Sequence, residues 1–176
     1  MRSAFQAVVI LLAASLFQVG AHAAATDNLF TAVTSKDLTA LAAMVDRGAD
    51  VNARNDAGQT PLMVAATQYG SEKLIEQLVF QGADIRARDK SGMTALMHAA
   101  GKGEVQNAEQ LLQLGVDPDI KDNSGKTLTD YAKAGGLDGR SDNRKSFVSM
   151  LMGNPANEPA AYTFYITHKP GTISAK

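Results

Sequence analysis

DAGQTPLMVAATQYGSEKLIEQLVFQGADIRAR, residues 56–88, decides the fold. It opens on a polar turn, Asp56-Ala57-Gly58. Thr60 then offers a hydroxyl to cap a helix, and Pro61 suits the first turn, where a missing N–H does no harm. Leu62, Met63, Ala65 and Ala66 form an apolar face of small residues that lets a neighbouring helix approach closely. Gly70 and Ser71 interrupt the chain, and Leu74, Ile75, Leu78 and Val79 follow as one stripe at helical spacing. Gly82 ends that second helix as a left-handed cap, which a residue with a Cβ would occupy at a cost of roughly 1–2 kcal/mol. Two helices this short cannot bury their apolar faces alone. They need copies of themselves on either side.

The copies are present. Gly58, Gly92 and Gly125 are spaced by 34 and 33 residues, as are Gly48, Gly82 and Gly115. GQTPLMVAA at 58–66 returns as GMTALMHAA at 92–100 and GKTLTDYA at 125–132. RGADVNAR at 47–54 returns as QGADIRAR at 81–88 and LGVDPDIK at 114–121. A period near 33 with a T-P-L-x-x-A core is characteristic of one class of helical repeat. Over about residues 26–152 the chain resembles the ankyrin family. The resemblance implies an all-α solenoid of about four helix-turn-helix repeats joined by short β-hairpins or turns. There are departures. The family's His after T-P-L is Met63 and Met97 here, which predicts loss of its hydrogen bond to the hairpin in both repeats. Position 95 is Ala rather than Pro, and Tyr69 reads as a one-residue insertion between helices.

The repeats divide as 24–54, 55–88, 89–121 and 122–152. In the first, Leu29, Phe30, Ala32 and Val33, then Leu38, Leu41, Met44 and Val45, are expected to face inward, with Asp37, Asp46 and Arg47 in solvent. In the third, Leu96, Ala99, Ala100, Val105, Ala108, Leu111 and Leu112 continue the core. The fourth is degenerate, with Thr129, Tyr131 and Ala132 on one helix and Phe147, Val148, Leu151 and Met152 on the other. LDGRSDN, 137–143, exceeds the repeat and is either a tolerated elongation or a private contact loop. In the 153–176 tail, Tyr162, Phe164 and Ile166 alternate in a β-prone run. That run covers the last repeat's edge, moves freely, or pairs with a partner's sheet.

Residues 1–23 stand apart from the repeats. Arg2, an apolar run from Ala4 to Val19 and Ala21-His22-Ala23 read as a secretory signal cleaved after Ala23. The alternative is an uncleaved anchor, but the run is short for a bilayer that needs roughly 20 apolar residues. Cysteine is absent, which removes disulfides, thiolate chemistry and a lipid-bearing Cys. An exported chain without disulfides fits a Gram-negative periplasm, without stable membrane insertion after cleavage. Formal charge is −1, with pI near 6.3, and no basic stripe appears, so nucleic acid is not the expected partner.

Candidate catalytic elements fail individually. His98 sits beside Ala99 and Ala100, as a packed or half-exposed histidine would. Gly125-Lys126-Thr127 resembles the end of a phosphate loop, yet position 120 is Ile where that loop needs Gly. Ser141-Asp142-Asn143 has no accompanying Ser-x-x-Lys or Lys-Thr-Gly. Asp117, Asp119 and Asp122 lack the Gly and Glu of a calcium loop. Asp50, Asp84 and Asp117 occupy the G-A-D slot and are expected to stabilise its turn. Neither an enzyme nor a cofactor is expected.

The resemblance implies instead a monomeric protein-binding module that uses the hairpin tips and the outer face of the first helices as a concave surface. Carried over position by position, the family's contact sites fall on Asp56, Ala57, Gln59, Thr67 and Gln68 in the second repeat. They fall on Lys90, Ser91, Met93 and Lys102 in the third, and on Asn123, Ser124, Lys126 and Lys133 in the fourth. Tyr69 and Met93 are apolar groups among polar ones, and apolar anchors contribute more than rim charges. The set runs from Asp56 at one end towards lysines at the other, which would steer an acidic or mixed surface. By the same resemblance the role is that of a periplasmic accessory factor in oxidative-stress protection, or of an immunity protein against a periplasm-acting toxin.

Overall fold

The computed structural model describes residues 29–136, and within them every regular element is helical. Helix α1 covers 29–35, α2 Leu38–Asp46, α3 Pro61–Ala66, α4 Glu72–Phe80, α5 Ala95–Lys102, α6 Val105–Gln113 and α7 Leu128–Ala134. The N-terminal segment 1–23, the 137–143 insertion, the second helix of the fourth repeat and the 153–176 tail lie outside the described residues.

The first helices of the second, third and fourth repeats each start on a threonine. The hydroxyls of Thr60, Thr94 and Thr127 accept the N–H of Met63, Met97 and Asp130, each at 3.4 Å. Pro61 occupies the first position of α3, as the sequence implied. The lost family histidine is partly replaced, contrary to expectation. Met63 Sδ accepts the Thr60 N–H at 3.4 Å, and in the fourth repeat Asp130 Oδ2 accepts the Thr127 N–H at 2.9 Å.

The second helices of the first three repeats each end on a glycine. Gly82 has φ +92° and donates to Val79 O at 3.0 Å, while Ala83 N reaches back to Leu78 O at 2.9 Å. Gly48–Ala49 and Gly115–Val116 make the same pair of bonds. The 34- and 33-residue glycine spacing is therefore the spacing of one repeated stop, because only this left-handed turn brings the two N–H groups onto the terminal carbonyls.

Between these ends the helices form two rows. α3 packs on α5 and α5 on α7, α4 packs on α6, and within the second and third repeats α3 lies on α4 and α5 on α6. Ala65, Ala66, Ala99 and Ala100 are fully buried, and their small side chains permit the close first row. Gly135, just after α7, sits where a Cβ would strike the backbone of α5, with Gly103 N at 2.9 Å and Gly101 C at 3.1 Å. Leu62, Met63, Leu74, Ile75, Leu78, Leu96, Met97, Leu111 and Leu112 fill the space between rows. Each such side chain contributes about 1.5–3 kcal/mol of burial, shared across the boundary between neighbouring repeats.

One expectation needs correction. Leu38 does not face inward but is 38% exposed. It is the first residue of α2, and the matching slots in the later repeats hold Glu72 and Val105, neither of them buried. The connections between repeats are turns; among the described residues none is a β-strand. Two main-chain bonds close each tip, in the second repeat Asn55 N to Gln59 O at 3.0 Å and Gly58 N to Asn55 O at 2.8 Å.

Candidate protein-binding surface

One acceptor side chain organises each tip. Asn55 Oδ1 takes the N–H groups of Ala57 and Gln59 at 3.0 and 2.9 Å. Asp89 Oδ1 takes those of Ser91 and Met93 at 2.8 and 2.9 Å, and Asp122 Oδ1 those of Ser124 and Lys126 at 2.9 and 2.8 Å. The turn just before each tip repeats the device with Asp50, Asp84 and Asp117, as the G-A-D slot implied. Asn55, Asp89 and Asp122 recur with the same period as the glycines, a signal that the tip residues themselves obscured.

The second oxygen of each acid fastens the tip to its helix. Asp89 Oδ2 lies 2.9 Å from His98 Nε2, and Tyr131 donates its hydroxyl to Asp122 Oδ2 at 2.7 Å. His98 and Tyr131 hold the same repeat position, so His98 is a half-buried partner of a tip acid. The Tyr131 hydroxyl, helped by the Ser124 hydroxyl and the N–H groups of Lys126 and Ser124, draws the Asp122 carboxyl down to about 2. The same bond, with burial, raises the Tyr131 phenol to about 12.

Successive tips are stitched together. Arg54 donates to Gly58 O and Arg88 O, both at 2.7 Å. Arg88 in turn donates to Gly92 O at 2.9 Å and to Lys121 O at 2.7 Å. Lys90 Nζ reaches Asp56 O at 2.6 Å, and Asn123 Nδ2 reaches Lys90 O at 3.0 Å. Asn52 links the preceding turns through Gly82 O at 3.1 Å and Asp84 N at 2.7 Å. The row of tips is therefore one rigid edge, because every bond crosses a repeat boundary and freezes neighbours against each other.

This stitching sorts the candidate contact residues. Lys90, Asn123 and Ser124 are exposed, but their polar groups serve the edge itself, Ser124 through Asp122. Gln59 accepts from Asn55 Nδ2 at 3.1 Å, Met93 packs partly against the core, and Lys126 lies 5.9 Å over the Tyr131 ring. Thr67 closes α3 through its hydroxyl on Val64 O. Gln68 is half-buried, with its carbonyl held by Asn107. Asp56, Ala57, Ser91, Tyr69 and Lys102 are exposed, with no side-chain hydrogen bond among the described residues. Lys133 is exposed too, but in register with Ala66 and Ala100, both fully buried. Its slot belongs to the core face rather than to the contact row. Thr129 and Asp130 likewise replace Leu62/Leu96 and Met63/Met97, so the fourth repeat turns polar where the inner repeats are apolar.

Tyr69 lies in the turn between α3 and α4, at the other end of α3 from the tips, and is 74% exposed. The one-residue insertion is visible there: Pro61 to Glu72 is one residue longer than Ala95 to Val105. Sequence reasoning missed how this turn is held. Lys36 Nζ donates to Tyr69 O from the first repeat, and Asn107 Nδ2 donates to Ala66 O and Gln68 O at 3.0 and 2.7 Å from the third. Among the described residues no group of three or more acids and histidines is placed to hold a metal, and no helix is long and apolar enough to cross a membrane.

A family model described as ankyrin repeats (three copies) matches residues 29–122 and 62–154. Over 130 residues, 73% of this chain, it is 35% identical to the E3 ubiquitin-protein ligase hecd-1 of Caenorhabditis elegans. Over 107 residues, 60% of this chain, it is 36% identical to the E3 ubiquitin-protein ligase Ufd4 of Drosophila melanogaster. The chain spans 5% and 4% of the length of those two proteins. The family match runs through all the described residues, in phase with the threonine starts and glycine stops, and the chain belongs to the ankyrin-repeat family.

Proposed function

We propose that this protein is a non-catalytic binding module that grips another protein along the stitched tips and the first-helix row. The observation that carries this is the ladder of bonds from Arg54, Arg88, Lys90 and Asn123 across successive repeats. It holds a long edge rigid before any partner arrives, so little ordering cost is left for the moment of binding. Asp56 and Ser91 on the tips, and Tyr69 and Lys102 at the far end of the first helices, are side chains left exposed for a partner. Ankyrin repeats generally serve as interaction domains, and the ligase names belong to proteins of which this chain matches a small part.

The setting proposed is the periplasm, on the strength of the signal-like composition of residues 1–23. There the module acts as an accessory factor docked on its partner. Affinity purification from periplasmic extract, with mass spectrometry of what co-elutes, names the partner. Binding of that purified partner is then measured with Asp56, Tyr69 and Lys102 replaced together by alanine. The reading expects at least a tenfold loss, equivalent to about 1.4 kcal/mol. Unchanged binding overturns the choice of face.

A further inference from the structure

Four buried side-chain oxygens among the described residues have no hydrogen-bond partner within the chain: Gln68 Oε1, Ser71 Oγ, Gln81 Oε1 and Asn107 Oδ1. Three of them belong to the α3–α4 turn or to the amide set into it. Ser71 and Asn107 are each 1% exposed. The corresponding turn of the next repeat, Gly103-Glu104, is shorter and contributes none of the four. The orphaned oxygens therefore accompany the insertion.

Donors are what this place lacks. Both bonds from the Asn107 amide nitrogen go to main-chain carbonyls, Ala66 O and Gln68 O. That fixes the orientation of the amide, whose Oδ1 is buried and able only to accept. Gln68 Oε1 can likewise only accept. The Ser71 hydroxyl makes no capping bond to α4 and has one proton to give. However it rotates, one of the two amide oxygens still needs a donor from outside the chain. A hard cation does not suit three neutral oxygens, since such ions take six or more ligands with carboxylates among them. A water molecule does, with two protons for the two amide oxygens and a lone pair for the serine. About three bonds is the usual complement of a buried water.

We propose that one ordered water molecule is built into the junction between the second and third repeats, bound by Asn107 Oδ1, Gln68 Oε1 and Ser71 Oγ. Its consequence is positional. With Lys36 on Tyr69 O and Asn107 on Gln68 O, it gives the inserted turn a third fastening and holds the Tyr69 ring out on a stiff support. The proposal stands independently of any partner, because hydration is measured on the free protein.

The test is a high-resolution crystal structure together with oxygen-17 relaxation dispersion in solution. The crystal should show one water peak about 2.7–3.2 Å from Asn107 Oδ1 and from at least one of the other two oxygens. The dispersion should show one long-lived water more in the wild type than in Ser71→Val, whose added methyl fills the site. A direct bond from Ser71 Oγ to an amide oxygen, with no density between the three groups, overturns the proposal. So does a folded Ser71→Val protein whose dispersion amplitude matches the wild type. Should that variant fail to fold, the wild-type density decides.

Discussion

Asn107→Ala removes a 1%-exposed amide that spans two repeats, and its cost follows from what it leaves behind. The amide nitrogen satisfies Ala66 O at 3.0 Å and Gln68 O at 2.7 Å, where α3 runs out of its own donors. Ala66 is fully buried, so its carbonyl stays dry and unpaired at a cost of about 1–3 kcal/mol. Gln68 is partly exposed and its carbonyl can recruit solvent, which holds that loss to about 0.5–1.5 kcal/mol. Together the substitution should destabilise by roughly 2–4 kcal/mol, a large share of the about 5–15 kcal/mol of an ordinary domain. Urea unfolding followed by far-ultraviolet circular dichroism measures it, with Gln106→Ala on the exposed side of the same helix as a control expected within about 0.5 kcal/mol of wild type. Asn107→Asp keeps the shape but sets a carboxylate against two carbonyl oxygens, so it should cost more than alanine. If alanine costs under about 0.5 kcal/mol, or aspartate is tolerated better than alanine, the amide does not join the repeats as described.

Three further substitutions probe other parts of the stack. Gly135→Ala drives a methyl into the backbone of α5, with Gly103 N at 2.9 Å, and should cost about 1–3 kcal/mol or more. Its signature is faster hydrogen exchange in α7 while α3 and α4 keep their protection, because repeats loosen from the end. Gly82→Ala meets nothing within 4 Å, so its cost is the left-handed backbone alone, about 1–2 kcal/mol by thermal or urea unfolding. Gly82→Asn should recover part of that loss. Tyr131→Phe removes the bond that lowers the Asp122 carboxyl and raises its own phenol. The depressed Asp122 contributes stability above its ordinary 3.8 that is lost as pH falls towards about 2. The raised Tyr131 contributes below its ordinary 10.0 and loses that as pH climbs towards about 12. Both describe one bond. The stability gap between wild type and Tyr131→Phe should therefore be widest between those limits and narrow beyond each, as urea midpoints across pH will record. A gap independent of pH would refute the pairing.

The repeat, its period and its ends were readable in the chain because each rests on local chemistry. A threonine three residues before an unpaired N–H, a proline in a first turn and a glycine where the backbone must turn left act within one helix end. Thr60, Thr94 and Thr127, with Gly48, Gly82 and Gly115, state those ends at a fixed spacing. The acids of the G-A-D slot were legible for the same reason, since an aspartate bonds the N–H two residues ahead. What remained hidden acts across 33 to 41 residues of chain: Lys90 on Asp56 O, Arg88 on Lys121 O, Asn107 on Ala66 O. A lysine reads as a contact residue in any list of exposed charges, and only the packed neighbour shows that its ammonium is already spoken for. Leu38 and Lys133 failed in the complementary way, as an apolar residue left exposed and a charge standing in a core register. Burial is a property of what stands alongside, and at the margin of a stack the neighbour that would cover a side chain is set by tertiary arrangement alone.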